Sequence, residues 1–458
     1  NSLFSSCDWF KPAQAPKRDK VYKPEDIGEI QGTKVFDPET GEYRTVHEVT
    51  EKVDTVRFTE LSADRYPPIT SDGSWTGVTP AETGIPTTPS SGKVFNVSLI
   101  LPFLAQQFNA ENIDENSQWA IHYYAGAKVA YEALERDGVN LSVNVLDTEA
   151  NATKVGSLLR QNELLRSDLI MGPYRRDNVP PVEDFAKKNK IPLAVPFTAQ
   201  MGMAEGNPYY IQMNPSLKSH CDAIARHARK RFRSEDIVLV VQDKPEEKER
   251  LKYFQDANAV IEGRSGVKFR EFVATNTQNP NVAQFIKTGR TTVFIVPSWS
   301  NESFVYSVLR QLMDQKSSGE DVVVYGMPQW MGFEQIDYDF YERLQVHVSS
   351  AFFVDESDER VRQFKQKFFD LYGTVPREEA YLGHDAMLYF GKMLAKYGRE
   401  FPSRLDQEDF NVLHGKFDFE RIVLYPEEHR EQTNYYDQLE NVFVHILKFQ
   451  DFYFQPAE

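Results

Sequence analysis

From residue 93 onward the sequence alternates between short apolar runs and amphipathic stretches, and this rhythm constrains the fold more than any other feature. FNVSLILPF (95–103) is nearly continuous in apolar residues, as parallel strands covered on both faces are. The segment after it spaces Ile121, Ala125, Val129 and Ala133 four apart, which predicts a helix with one buried stripe that stops at Gly138. LSVNVLD (141–147), DLIMG (168–172) and IPLAVPF (191–197) then read as strands, with helices over 153–166 and 179–188 between them. A second series follows. DIVLVVQ (236–242), VKFREFV (267–273), TTVFIVP (291–297) and DVVVYG (321–326) are separated by helical stretches, notably 247–262 and 302–316. Two consecutive series of similar length predict an α/β protein with two doubly wound parallel-sheet lobes. Between them NPYYIQMNPS (207–216) reads as a Pro-flanked crossover. VHVSSAFFV (346–354) precedes helices at 358–371 and 380–396, and VFVHILKFQDFYF (442–454) has the β-branched and aromatic content of strands.

Residues 8–92 differ. KPAQAPKR, YPPITSDGSW and TPAETGIPTTPSSG replace long apolar runs with Pro, Thr, Ser and Gly, too little core to offset the entropy of ordering. TKVFDPETGEYRTV (33–46) predicts a hairpin around Asp37–Gly41, and VDTVRF (53–58) one more edge-seeking strand. Such an arm lies on a larger body or on a partner if it is ordered.

A formal charge of −16 argues against nucleic acid as a partner, because a phosphate backbone is held by a basic stripe. The one basic cluster, ARHARKRFR (225–233), falls at the end of a predicted helix, where cations complement the dipole. The longest apolar run, VSLILPFL (97–104), is far too short to span a bilayer. Two cysteines, Cys7 and Cys221, make no disulfide framework, and His220, Cys221 and His227 do not converge on one helix face, so neither metal nor cofactor is expected. No G-x-S-x-G, no H-E-x-x-H and no phosphate-cradling glycine loop is present, and an enzyme is not expected.

Cys7 follows Leu3, Phe4, Ser5 and Ser6, a sequence that resembles the lipobox of bacterial lipoproteins, in which the cysteine is acylated. A full signal needs a longer apolar core and basic residues ahead of it, so this reading takes the start as a shortened leader. The other reading of Cys7 is a free thiol in a loose terminus.

The order of segments resembles the type I periplasmic-binding-protein family, the fold of leucine/isoleucine/valine receptors, over roughly residues 93–458. The residues carrying the resemblance are AGAKVAYEALERDGVNLSVNVLDTEAN (125–151), DLIMGPYRRDNVPPVEDFAKKNKIPLAVPFTA (168–199), NPYYIQMNPS and FKQKFFDLYGTVPREEAYLGHDAMLYF (364–390), with His384 where the family usually has Tyr. The resemblance implies two discontinuous lobes joined by three crossovers: 93–209 plus 347–410, and 210–346 plus 411–458, after an arm at 1–92. It implies a ligand cleft at the carboxyl ends of the strands, where loops and helix N-termini converge.

Amino-acid receptors of this family hold the carboxylate with small hydroxyl residues after the third and fourth strands, and the ammonium with an acid from the other lobe. Here the first loop reads Gly172-Pro173-Tyr174-Arg175-Arg176-Asp177, without those hydroxyls, and the second keeps only Thr198. Arg175 and Arg176 could clamp an anion at a helix start, could fill the cleft while Asp177 caps the helix, or could simply be a solvated or salt-bridged surface pair. In the second lobe Trp299 and Trp330 could stack on a ligand or pack between lobes. The candidate cleft is therefore Tyr174, Arg175, Arg176, Thr198, Trp299 and Trp330.

Three functions fit this reading. The first is a noncatalytic protein of the periplasm, lipid-anchored through Cys7 to the outer membrane, whose arm clasps protein partners in a membrane-associated assembly. The second is a receptor for an amino acid or small anion that delivers it to an ABC-type transporter. The third is a sensor whose closure signals to a partner.

Overall fold

The computed structural model describes residues 33–37, 42–46, 93–107, 113–263, 266–316, 320–426 and 435–457. The chain divides into two compact units, Asn1–Gly84 and Ile85–Glu458. In the first, β1 (Thr33–Asp37) pairs antiparallel with β2 (Glu42–Val46), Thr33 opposite Val46 and Asp37 opposite Glu42, as the TKVFDPETGEYRTV stretch led one to expect. Cys7 and the strand expected at 53–58 lie outside the described residues.

The second unit begins with β3 (Phe95–Leu101), α1 (Glu115–Arg136), β4 (Leu141–Asp147), α2 (Ala152–Leu158), α3 (Asn162–Leu165), β5 (Leu169–Met171), α4 (Val179–Asn189), β6 (Leu193–Val195) and β7 (Tyr210–Gln212). It continues with α5 (Leu217–Arg231), β8 (Ile237–Gln242), α6 (Pro245–Glu262), β9 (Arg270–Ala274), β10 (Thr292–Ile295), α7 (Glu302–Gln315), β11 (Val322–Gly326), α8 (Tyr338–Arg343) and β12 (Val346–Ser350). The last part is α9 (Glu359–Tyr372), α10 (Glu378–Tyr397), β13 (Asp409–Val412), β14 (Gly415–Ile422), β15 (Gln438–Asn441), β16 (His445–Gln450) and β17 (Tyr453–Pro456).

Two sheets result. The first runs β13-β14-β15-β7-β6-β5-β3-β4, parallel from β15 to β4, with β13 and β14 added antiparallel. The second runs β17-β16-β12-β11-β10-β8-β9, parallel from β12 to β9, with β16 and β17 antiparallel. Every residue of β8, β10, β11 and β12 is buried, because helices cover both faces of these central strands.

Sheet membership moves the lobe boundaries. The expected crossover at 207–216 contains β7, which pairs between β6 and β15 in the first sheet, and β12 belongs to the second sheet. Residues 411–441, assigned to the second lobe, supply β13–β15 of the first, since Leu439 pairs with Ile211. Only β16 and β17 return to the second lobe, through His347 opposite Lys448. The helix expected over 153–166 is two, with Asn151 capping α2 by accepting from the Thr153 and Lys154 amides. Ile121 is 41 % exposed rather than buried, because the packed face of α1 is centred on Ala120, Tyr123, Ala127, Ala130 and Leu134.

α1 and α10 touch backbone to backbone. A Cβ on Gly126 would stand 1.8 Å from the Ala380 carbonyl oxygen, and one on Gly383 would stand 1.9 Å from that of Tyr123. Only glycine permits this approach.

The chain crosses between lobes at 213–216, 351–353 and 442–444, each time from the carboxyl end of a parallel strand: β7, β12 and β15. The carboxyl edges of the two sheets therefore border each other across the crossovers.

Candidate functional site

On the first lobe, the loop after β5 starts at Gly172, whose φ of +108° and close approach to the Ile100 carbonyl exclude a side chain. That tight start brings Tyr174 back over α1. Its ring lies 4.3 Å from Trp119 and 4.5 Å from Phe197, and Trp119 stacks on Tyr123 at 4.8 Å. Trp119 is buried, Tyr174 half-buried and Phe197 48 % exposed, so the cluster forms an aromatic wall whose outer ring still meets solvent. The Phe197 carbonyl accepts from Asn214 Nδ2 at 2.8 Å, which ties this wall to the first crossover. Burial raises the Tyr174 hydroxyl pKa, and the charges of Glu115 and Glu379 push the same way, so it stays a neutral phenol.

Thr198 is buried, and its hydroxyl oxygen accepts from the Gln200 amide at 3.3 Å, an internal turn bond. Arg175 and Arg176 are exposed beside the start of α4, and neither pairs with a carboxylate among the described residues. Asp177 is not the cap expected of it: Asn178 occupies the N-cap of α4, without a side-chain bond.

The carboxyl edge of the second lobe is closed by a polar network of its own. Glu247, in the first turn of α6, accepts from the Gln242 backbone at 2.8 Å, from Gln242 Nε2 at 2.6 Å and from the Ser298 hydroxyl at 3.2 Å. Arg250 stands 3.8 Å from it, and Asn301 Nδ2 donates to Gln242 Oε1 at 2.8 Å. The acid is thus satisfied internally, at a helix N-terminus that favours its charge.

Trp299 is half-buried and meets His220 edge to face at 5.6 Å. Burial pushes the His220 imidazole down to about 4. Trp330 has no exposed surface. Its indole N–H donates to the Ser298 carbonyl at 3.0 Å, and its ring lies flat where a Cβ on Gly326 would be, so it belongs to the second lobe's core.

The structure therefore gathers Tyr174 with two residues that the sequence reading did not choose, Trp119 and Phe197, and leaves Arg175 and Arg176 solvated beside them. The available signal was the i, i+4 pair Trp119 and Tyr123 in the first turns after β3. Glu247 and Gln242 carried no signal, since one acid in an acidic chain is unremarked until its partners are known. Among the described residues no group of three or more His, Cys, Asp or Glu side chains is placed to hold a metal ion, and no helix is long and apolar enough to cross a membrane.

The family model for periplasmic binding proteins matches residues 106–419. No curated protein matches the sequence. Among solved structures, similar folds include a protein assigned to branched-chain amino acid ABC transport in Rhodospirillum rubrum, at 15 % identity and a TM-score of 0.58, covering 80 % of this chain and 100 % of that one. An ABC transporter substrate-binding protein from Desulfitobacterium hafniense, in complex with Leu, has 15 % identity, a TM-score of 0.50 and the same coverage. The C-domain of LpoA from Haemophilus influenzae, described as a regulator of PBP1A, has 12 % identity and a TM-score of 0.52, covering 79 % of this chain and 100 % of that domain. At these identities the likeness is one of fold.

Proposed function

The chain belongs to the periplasmic binding protein family, and from that premise we propose that it is a noncatalytic cell-envelope protein, lipid-anchored through Cys7, whose two-lobed body serves as an accessory subunit of a membrane-associated assembly. The observation that carries this reading is the state of the cleft walls. Tyr174 and Phe197, in the loops after β5 and β6, pack as an aromatic wall with Trp119 of α1 and bring no small hydroxyl residues there beyond the internally bonded Thr198, and Glu247, the buried acid of the opposite edge, is already satisfied by Gln242, Ser298 and Arg250. An amino acid gains little from an aromatic face and from an acid whose hydrogen bonds are already made. The fold shared with the LpoA C-domain, described as a regulator of PBP1A, supports the same reading. In it the 1–92 arm engages the protein partners, in the periplasm at the outer membrane.

A second reading is favoured by the half-exposed Phe197 and by Arg175 and Arg176, which pair with no carboxylate among the described residues. In it the body is a solute receptor for an amino acid or small anion feeding an ABC transporter, with Tyr174, Arg175, Arg176, Thr198 and Trp299 as the contact set. Thermal melting with leucine, and separately with acetate, decides between them. A ligand that binds only the folded state raises the melting temperature by mass action. A saturable rise that Arg175→Gln abolishes supports the receptor and ends the accessory reading. No rise, together with loss of co-purifying envelope proteins on deletion of 8–92, supports the accessory subunit.

A further inference from the structure

On the second lobe, a sheet whose central strands are buried and apolar carries one row of polar side chains. Tyr325 of β11 pairs with His347 of β12, His347 with Lys448 of β16, and Lys448 with Gln455 of β17. Residues directly opposite share a face, so four adjacent strands present Tyr, His, Lys and Gln in one line. A sheet covered on both faces normally carries apolar residues there. The row borders a cavity of about 430 Å³, walled on one side by Arg231 at the end of α5. His347 is the second residue of β12, so the cavity opens toward the amino ends of the parallel strands, away from the crossovers.

The groups in this cavity are positioned. His347 is 7 % exposed, and its Nδ1–H donates to the Gln345 carbonyl at 2.7 Å, which fixes the proton there and leaves Nε2 with no hydrogen bond to a described residue. Its ring stacks on Tyr325 at 4.8 Å, and the Tyr325 hydroxyl is bonded to His227 Nδ1 at 2.9 Å. Gln345 is held in turn by Asp321 at 2.6 Å. Lys448 is half-buried and Arg231 exposed, and neither pairs with a carboxylate among the described residues. Among the described residues the only carboxylate lining the cavity is Asp451, in the turn between β16 and β17. Burial first, and then the charges of His227, Lys448 and Arg231, together bring the His347 imidazole down to about 4 against the opposing hydrogen bond to the Gln345 carbonyl. The cavity thus sets two cations beside a neutral imidazole, with one acid among the described residues that line it to offset them.

We propose that this cross-strand row is an oxyanion site for a phosphate or phosphomonoester group, bound by Arg231 and Lys448, with the Gln455 amide supplying a further hydrogen bond and the neutral His347 ring forming the wall between them. Two full positive charges on separate elements match a doubly charged group, and the guanidinium fork with the ammonium can engage several of its oxygens at once. The basic cluster at 225–233 thereby acquires a purpose for Arg231 that its neighbours lack: Arg229 donates to the Phe232 carbonyl and Asn258, and Arg233 stands 3.7 Å from Glu235.

Isothermal titration of the full chain with inorganic phosphate, and separately with glucose 6-phosphate, in a phosphate-free buffer of low ionic strength, tests this. Saturable binding of either probe is expected, and Lys448→Gln and Arg231→Gln should each weaken it about tenfold, the worth of one charge-assisted hydrogen bond. Arg233→Gln, two residues past Arg231 and outside the cavity lining, should leave it within about twofold. Tighter binding of the ester marks a phosphorylated compound as the source, and tighter binding of inorganic phosphate marks the free ion; either upholds the site. Binding of neither probe, or binding that survives both cavity substitutions, overturns it. Should Lys448→Gln fail to fold, the exposed Arg231→Gln decides alone.

Discussion

Asp385 binds His414 twice, accepting from the ring Nδ1–H at 2.6 Å and from the backbone amide at 3.1 Å, both on one carboxylate oxygen. Its other oxygen accepts from His384 Nδ1 at 2.8 Å. The carbonyl of His414 accepts in turn from the Phe353 amide at 3.4 Å and from His445 Nε2 at 2.9 Å, residues at the ends of the second and third crossovers. One fully buried carboxylate on α10 thereby holds the residue on which two of the three interlobe segments converge.

Protonating Asp385 should loosen this junction. Burial alone would raise its pKa, but the hydrogen bonds from His384 and His414, with their charge, overcome it and hold the carboxyl at about 2, below its ordinary 3.8. A carboxyl depressed by folding contributes stability that is complete above the unfolded value and lost as pH falls through the folded one. Urea unfolding should show about 2 kcal/mol disappearing between roughly pH 4 and pH 2. Asp385→Asn should lower stability at pH 7 and remove that acid-side slope; an unchanged slope refutes the assignment.

His220 acts in a higher window. Its pKa is lowered from 6.5 to about 4 by burial, so the unfolded chain takes up a proton that the folded chain refuses. Stability should be constant above about pH 6.5 and fall by up to about 3 kcal/mol as pH drops toward 4. His220→Phe keeps the contact with Trp299 and should remove about half of the slope in this window, the remainder belonging to His347, which is lowered over the same range, while the Asp385 limb below pH 4 persists.

Gly383→Ala places a methyl group against the Tyr123 carbonyl and should cost about 3 kcal/mol, well beyond the roughly 1 kcal/mol that alanine gains in helix propensity. Gly138→Ala provides the contrast. It has nothing within 4 Å but a φ of +81°, so its cost of about 1 kcal/mol is conformational. Equal midpoints for the two variants in chemical denaturation would contradict the packing account.

Tyr174 and Phe197 should be coupled energetically. Phe197→Ala, at a half-exposed ring, should cost under about 1 kcal/mol and Tyr174→Ala about 2 kcal/mol, with a double-mutant coupling near 1 kcal/mol. Additive effects would show that the rings merely lie near each other.

The sheets were legible wherever both faces of a strand are buried, as in 97–101 and 237–241, because continuous apolar runs leave few alternatives. The lobe boundary after 410 was not. β14 reads GKFDFERI, an alternation that suits either sheet, and its membership rests on Leu439 meeting Ile211 across 228 residues of chain, a pairing no local pattern encodes. The cleft was legible as loops and not as contents. Tyr174 could be placed at its edge, but whether its ring faced a void or an indole depended on the sharp path through Gly172. Trp330 sat in a plausible loop and went to the core because Gly326 leaves a slot of indole width.

The glycine contact between α1 and α10 makes those two helices one stiff plank, since backbones in contact have no side chains between them to yield. Trp119 is mounted on one end of that plank, and His384 and Asp385 ride on its second board. A rigid-body shift of either helix is therefore shared by the other, so the indole of the first and the carboxylate that holds the interlobe junction on the second keep a fixed relation.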